Sequence, residues 1–202
     1  MQIHWRSRLA IIALSCGVGA CANIDMGSAQ ISADDSGAAF TSVYRGDAPI
    51  PEHLAGAEQR LLARLAANAD DPDTLVRLGV LYRHVENFEA ARKVFAEAAD
   101  ATGDSAKVLN EIAITYRASG DFNQARDTYL KILSLVPDFH DAHFNLGILY
   151  DLYLGEAELA HKHYSAYLDA APNADARVEK WLIDLRRRFD KASDASVVNV
   201  GE

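Results

Sequence analysis

The side chains best equipped for chemistry are four histidines. His140 and His143 stand three apart, His161 and His163 stand two apart on a later stretch, and Asp138 and Asp141 lie close by. Imidazole nitrogens and carboxylates are zinc ligands. Helical geometry works against one shared ion, because His161 and His163 would point about 200° apart on a helix. These residues therefore read as structural or surface groups, and no metal or other cofactor is expected. The two cysteines, Cys16 and Cys21, both fall within the first 21 residues, so the rest of the chain has neither a disulfide framework nor a thiolate metal site. No G-x-S-x-G, H-E-x-x-H or glycine-rich phosphate loop occurs. Neither catalysis nor a small-molecule substrate is expected.

What must position the remaining side chains is a chain of 202 residues, half of them apolar and a quarter charged, with a formal net charge of −9. Arg6 and Arg8 are the only charges among the first twenty residues, and their removal leaves 18 basic against 29 acidic side chains, a net charge of −11. A surface that acidic repels phosphate backbones, so nucleic acid is not an expected partner.

The N-terminus reads as an address. After the two arginines, Leu9 to Val18 is largely apolar. Ten helical residues cover about 15 Å of a ~30 Å hydrocarbon core, which fits a secretory signal peptide and not a membrane span. Val18-Gly19-Ala20-Cys21 resembles a bacterial lipobox, which implies cleavage before Cys21 and its lipidation. Ala20-Cys21-Ala22 also reads as an ordinary Ala-x-Ala site, which would release a soluble periplasmic protein. With Ala22 after the cysteine, the lipoprotein reading implies an outer-membrane protein facing the periplasm. The stretch from Ala22 to Ile50 is rich in Ala, Ser, Gly and Asp without a sustained period, and is expected to be a flexible tether spanning ~30 Å.

From Pro72 the chain repeats. Leu78-Gly79-Val80-Leu81-Tyr82 returns as Ile112-Ala113-Ile114-Thr115-Tyr116 and as Leu146-Gly147-Ile148-Leu149-Tyr150, at steps of 34 residues. Ala91 and Phe95 return as Ala125 and Tyr129, and one residue late as Ala160 and Tyr164, which points to a single insertion near Leu154-Gly155-Glu156. Small residues at helix crossings with aromatic wedges beside them describe packed helix pairs. Asp71-Pro72, Asn87 and Asp121 supply helix starts, and Gly120 a stop. Val178, Trp181, Leu182, Leu185 and Phe189 form one apolar stripe, expected to close the array as a capping helix. Leu54, Ala57, Leu61 and Leu65 mark a helix before it.

This pattern resembles the tetratricopeptide repeat family, whose unit is a helix–turn–helix of 34 residues. The resemblance implies an all-α, right-handed solenoid. Its expected segments are a signal peptide (1–20), lipidated Cys21 with a tether (21–50), an N-terminal half-repeat helix (51–71), three units (72–105, 106–139 and 140–173), a capping helix (174–191) and a disordered tail (192–202). The family's first-helix Trp is replaced by Leu75, Leu109 and His143, and Tyr167 stands where the first unit has Ala98.

The resemblance also implies a partner-binding groove lined by the first helices. Carried over position by position, it consists of Asp73, Val76, Val80, Arg83, Lys107, Asn110, Ile114, Arg117, Asp141, Phe144, Ile148 and Asp151. Arg83 and Arg117 would flank an apolar strip and clamp acidic groups, so Arg83→Ala and Phe144→Ala would weaken partner capture without loss of thermal stability. Arg186-Arg187-Arg188 is read as a complement to the dipole of the last helix turns. In plan the chain resembles the TadD-like and PilF/PilW pilus lipoproteins. That resemblance implies a non-catalytic scaffold whose protein partners are a secretin or other pilus or secretion components. The alternative is a general scaffold for cell-wall or outer-membrane assembly.

Overall fold

The structure, a computed structural model, describes Tyr44 and residues 48–198, with side chains described as far as Arg188. The expected signal peptide, the lipidation at Cys21, the end of the tail and the side chain of Phe189 lie outside the described residues. Among those described there is no strand. Eight helices follow one another: α1 (Glu52–Ala67), α2 (Pro72–His84), α3 (Phe88–Thr102), α4 (Ala106–Ala118), α5 (Phe122–Leu135), α6 (His140–Leu149), α7 (Ala157–Ala170) and α8 (Arg177–Val198). Each packs on its neighbours in sequence, and the first helices of successive units, α2 with α4 and α4 with α6, also touch. This is the expected all-α solenoid.

The close crossings follow from residue size. A Cβ built on Gly79 would sit 2.6 Å from the Phe95 ring, and one on Gly147 would sit 2.3 Å from the Tyr164 ring. Each aromatic ring therefore presses on the backbone of the facing helix and is fully buried, as are Leu75, Leu78 and Leu146. A fully buried side chain of this size contributes about 1.5–3 kcal/mol. Tyr129, the wedge of the second unit, is buried with no hydrogen-bond partner for its hydroxyl among the described residues. Burial pushes that hydroxyl's pKa well above its ordinary value. Tyr129→Phe is therefore expected to leave stability unchanged or raise it by up to about 1 kcal/mol, read by urea denaturation. A drop of that size would show that the hydroxyl has a partner in solution.

Helix α1 buries Glu58, Leu62 and Leu65, so its inner face is turned slightly from the expected stripe of Leu54, Ala57, Leu61 and Leu65. Leu61 and Ala57 pack at the margin of the core, and Glu58 accepts a hydrogen bond from the Tyr82 hydroxyl at 3.0 Å. The caps are mixed. Asn87 Oδ1 accepts from the backbone N–H of Ala90 at 3.2 Å. Asp121 makes no such cap, and accepts instead from the Ser119 hydroxyl at 2.6 Å. Asp71 accepts from Thr74 and Arg64.

Two expectations need correction. The tether was expected to run loosely to Ile50, yet Tyr44 is only 6% exposed and its hydroxyl donates to Glu97 on α3 at 2.5 Å. Ile50 packs on the same core. An aromatic ring buried in a polar stretch escapes a reading based on average composition. The inserted residue of the third unit lies beside Leu154-Gly155-Glu156, where the spacing places it, and is taken up within the helix. Helix α6 runs into a π-helical turn, Tyr150–Leu154, that ends at Gly155 with φ of +71°. In the first two units the Tyr82 carbonyl accepts from Asn87 and the Tyr116 carbonyl from Asp121, five residues on. The Tyr150 carbonyl accepts from Glu156, six on. Lastly, α8 extends to Val198, beyond the expected end at 191. Arg186 to Arg188 thus sit mid-helix, and since dipole effects fade beyond the last turn, that reading of them fails.

Candidate binding face on the first helices

The twelve groove positions lie on α2, α4, α6 and the π turn, and the structure brings most of them to three consecutive recesses. The first, about 290 Å³, is lined by Val76, Lys107, Asn110, Glu111 and Asp141. The second, about 420 Å³, is lined by Val80, Arg83 and Ile114 together with His84, Glu86 and Phe88 of the first unit's turn. The third, about 590 Å³, joins Ile148, Asp151 and Leu152 to Trp181, Asp184 and Arg188 of α8. The face therefore continues onto the capping helix, which the sequence reading missed. Trp181 was legible as core, and nothing in the repeat register marked it as lining. Asp73, Arg117 and Phe144 line none of the three recesses.

The side chains divide by what already holds them. Val80 is 38% exposed, while Asp73, Lys107 and Asp141 are open to solvent. Arg117 is half-buried and forms no ion pair among the described residues. Arg83 is engaged. Its Nη1 donates to Glu111 Oε2 at 2.7 Å and to the Glu111 carbonyl at 3.2 Å, and its guanidinium lies 5.7 Å from the Phe95 ring centroid. It is a strut between the first two units, so the expected clamp of two arginines reduces to Arg117. Asn110 is buried and accepts from Asn145 Nδ2 at 3.1 Å, tying α4 to α6. Asp151 is tied to the cap by Arg188 Nη2 at 2.6 Å. Phe144 packs between Tyr167 and Trp181, with ring centroids 5.0 and 6.1 Å away. Truncating Arg83 or Phe144 would thus cost stability, contrary to the sequence expectation. Tyr167, large where the first unit has Ala98, also accepts the Asp175 N–H at 3.0 Å and so fixes the approach to α8.

The histidines separate. His143 Nδ1 meets His163 Nδ1 at 3.0 Å, while His143 Nε2 lies 2.9 Å from the Pro137 carbonyl. The carbonyl only accepts, so His143 Nε2 carries a proton. A single proton then occupies the gap between the two Nδ1 atoms. The His163 ring is buried and stacked on Tyr150, with 5.6 Å between centroids. Burial first, then His143 and Lys162, lower its pKa to about 4. His140 lies beside Asp141, and His161 lines a separate trough between α7 and α8. Among the described residues no three His, Cys, Asp or Glu side chains are grouped to hold a metal ion.

An array of helix pairs with a recessed, partly apolar face is the architecture of a protein-interaction solenoid. Residues 70–138 match the tetratricopeptide repeat family model, and this segment of the chain belongs to that family. Solved structures agree at the level of fold. The chain is similar to pilF of Pseudomonas aeruginosa, with a TM-score of 0.57 and 18% identity over 82% of this chain and 72% of that one. It is similar to MamA, with a TM-score of 0.51 and 19% identity over 77% of this chain and 99% of that one. It is similar as well to a tetratricopeptide repeat protein from Parabacteroides merdae, with a TM-score of 0.56 and 21% identity over 76% of this chain and 59% of that one.

Proposed function

We propose that the protein is a non-catalytic scaffold of the bacterial envelope that binds other proteins through the face of α2, α4 and α6, and that it assists assembly of a pilus or secretion apparatus. The observation that carries the binding reading is the run of recesses along that face, where Val80, Ile114, Ile148 and Trp181 supply apolar surface and Lys107 and Asp141 supply charge, with Asp73 and Arg117 on the same helices outside them. A partner segment that buries such apolar positions gains roughly 25 cal/mol per Å² before the cost of association is met. The assembly reading rests on two supports. The Val18-Gly19-Ala20-Cys21 sequence favours an exported lipoprotein anchored at Cys21, and the fold resembles that of PilF.

The test is capture of the tagged full chain from crosslinked envelopes, compared with a Val80→Asp/Arg117→Glu variant. Both positions are partly open, so thermal unfolding should change little, while recovery of specific partners should fall at least about tenfold. A secretin or other pilus component that depends on the intact face supports assembly. Cell-wall enzymes recovered in its place would move the reading to a general envelope scaffold. Equal capture by both forms would remove the face from the mechanism.

A further inference from the structure

Each of α2, α4 and α6 is followed by a second helix that packs against it. Helix α8 takes the place of a fourth first helix, and among the described residues no helix follows it. It has two open sides. Trp181, Asp184 and Arg188 line the third recess beside Ile148 and Asp151. On another side, Leu182, Ile183, Arg186 and Arg187 meet His161 and Ser165 of α7 around a trough of about 460 Å³.

The banks of this trough are a second helix and a first helix, the two elements that would flank the second helix of a fourth unit. Its apolar part is Leu182, half-buried, and Ile183, which is 54% exposed. Its rim carries Arg186 and Arg187, both exposed and both without a carboxylate partner among the described residues. They lie in the middle of a 22-residue helix, where the helix dipole gives them no role. In a chain with 29 acidic and 20 basic side chains, two guanidiniums beside an apolar strip, unpaired among the described residues, are a local reversal of charge.

We propose that this trough receives an amphipathic helix of a partner protein. The helix lays an apolar ridge on Leu182 and Ile183 and turns carboxylates toward Arg186 and Arg187. Helix-in-groove recognition lays the apolar face of a helix between two banks, and α7 and α8 supply both. Guanidinium–carboxylate pairs at the rim then set the direction in which the helix lies. A bilayer is a poorer occupant, since an anionic surface would also meet the exposed Glu179 and Asp184 of α8 and the net charge of −9. This surface is separate from the first-helix face, so the protein would hold two partner segments at once.

The test uses the full chain and a fluorescein-labelled helical peptide of about eighteen residues, five turns long. It carries leucines at i, i+3, i+4 and i+7 with flanking glutamates. A second peptide replaces the glutamates with lysines. Fluorescence anisotropy should show the glutamate peptide binding, more weakly as salt rises, and the lysine peptide binding at least about tenfold more weakly. Arg186→Glu/Arg187→Glu should abolish the preference with an unchanged circular dichroism spectrum, and Val80→Asp/Arg117→Glu should leave it intact. The proposal is overturned if neither peptide binds, if both bind equally, or if the first-helix variant is the one that loses binding. Cosedimentation with anionic phospholipid vesicles, or self-association in an ultracentrifuge, that is lost in Arg186→Glu/Arg187→Glu while neither peptide binds would assign the trough to lipid or to a second copy.

Discussion

Gly147→Ala should lower the stability of the array by about 2–3 kcal/mol, a fall in Tm of roughly 5–10 °C for a chain of this size. The added methyl would lie 2.3 and 2.4 Å from two carbons of the Tyr164 ring. That ring is 1% exposed and itself packs on Trp181, with 5.4 Å between centroids, so it has little room to withdraw. The strain would spread to the α6–α7 crossing and to the seat of the cap. Gly79→Ala meets Phe95 at 2.6 Å and should cost less. The second unit carries Ala113 at the same place opposite Tyr129, which indicates that a slightly wider crossing can form where the whole unit is built for it. Scanning calorimetry with hydrogen exchange would locate the effect, and amides of α6 and α7 should lose protection first. A Tm within a degree of the parent would show that the crossing is looser than it stands here.

Acid should loosen the same unit through His163. Its pKa of about 4 lies below the ordinary histidine value of 6.5, so the unfolded chain takes up a proton more readily than the folded one. The stabilising contribution of the neutral ring is complete above pH 6.5. It falls as the pH drops from 6.5 toward 4, and below that the loss is constant. At ~1.4 kcal/mol per unit, the loss approaches about 3 kcal/mol. Carboxylates titrate in the lower part of this window, so the useful quantity is a difference between variants. His163→Phe keeps a ring against Tyr150 and gives up the bond to His143. It should be less stable at pH 7 by about 1 kcal/mol and should shed most of the loss between pH 6.5 and 5. Parallel curves for the two proteins would rule out His163 as the acid-sensitive group.

Much of the fold was legible because the repeats put the same demand on the same positions. Gly79, Ala113 and Gly147, with their facing aromatics, set the crossings, and their 34-residue spacing set the order of helices. Composition and period misjudged features that depend on one side chain meeting another far away in sequence. Tyr44 sits in a polar stretch and is held by Glu97, 53 residues on. Arg83 occupies a groove position and is held by Glu111. The candidate face was legible as a set of positions, since most of the twelve residues line recesses. The state of each was not, because pairing by Glu111, Asn145, Arg188 and Trp181 is a tertiary fact. The His143–His163 contact was missed for a related reason. The two pairs of histidines were weighed along their own helices, and the short distance runs between helices.

The π turn at Tyr150–Leu154 bears on how this array can be rearranged. A surplus residue in a solenoid would ordinarily throw everything downstream out of phase. Here a single widened turn absorbs it, and Ala160 and Tyr164 still reach the places their counterparts take in earlier units. A chimaera joined after Glu156 therefore inherits α7 and α8 with their spacing intact and needs no widened turn in the donor segment. A junction placed within residues 150–154 would import the extra residue without the helix that accommodates it. For anyone transplanting the two C-terminal helices to another array, Gly155 marks the seam.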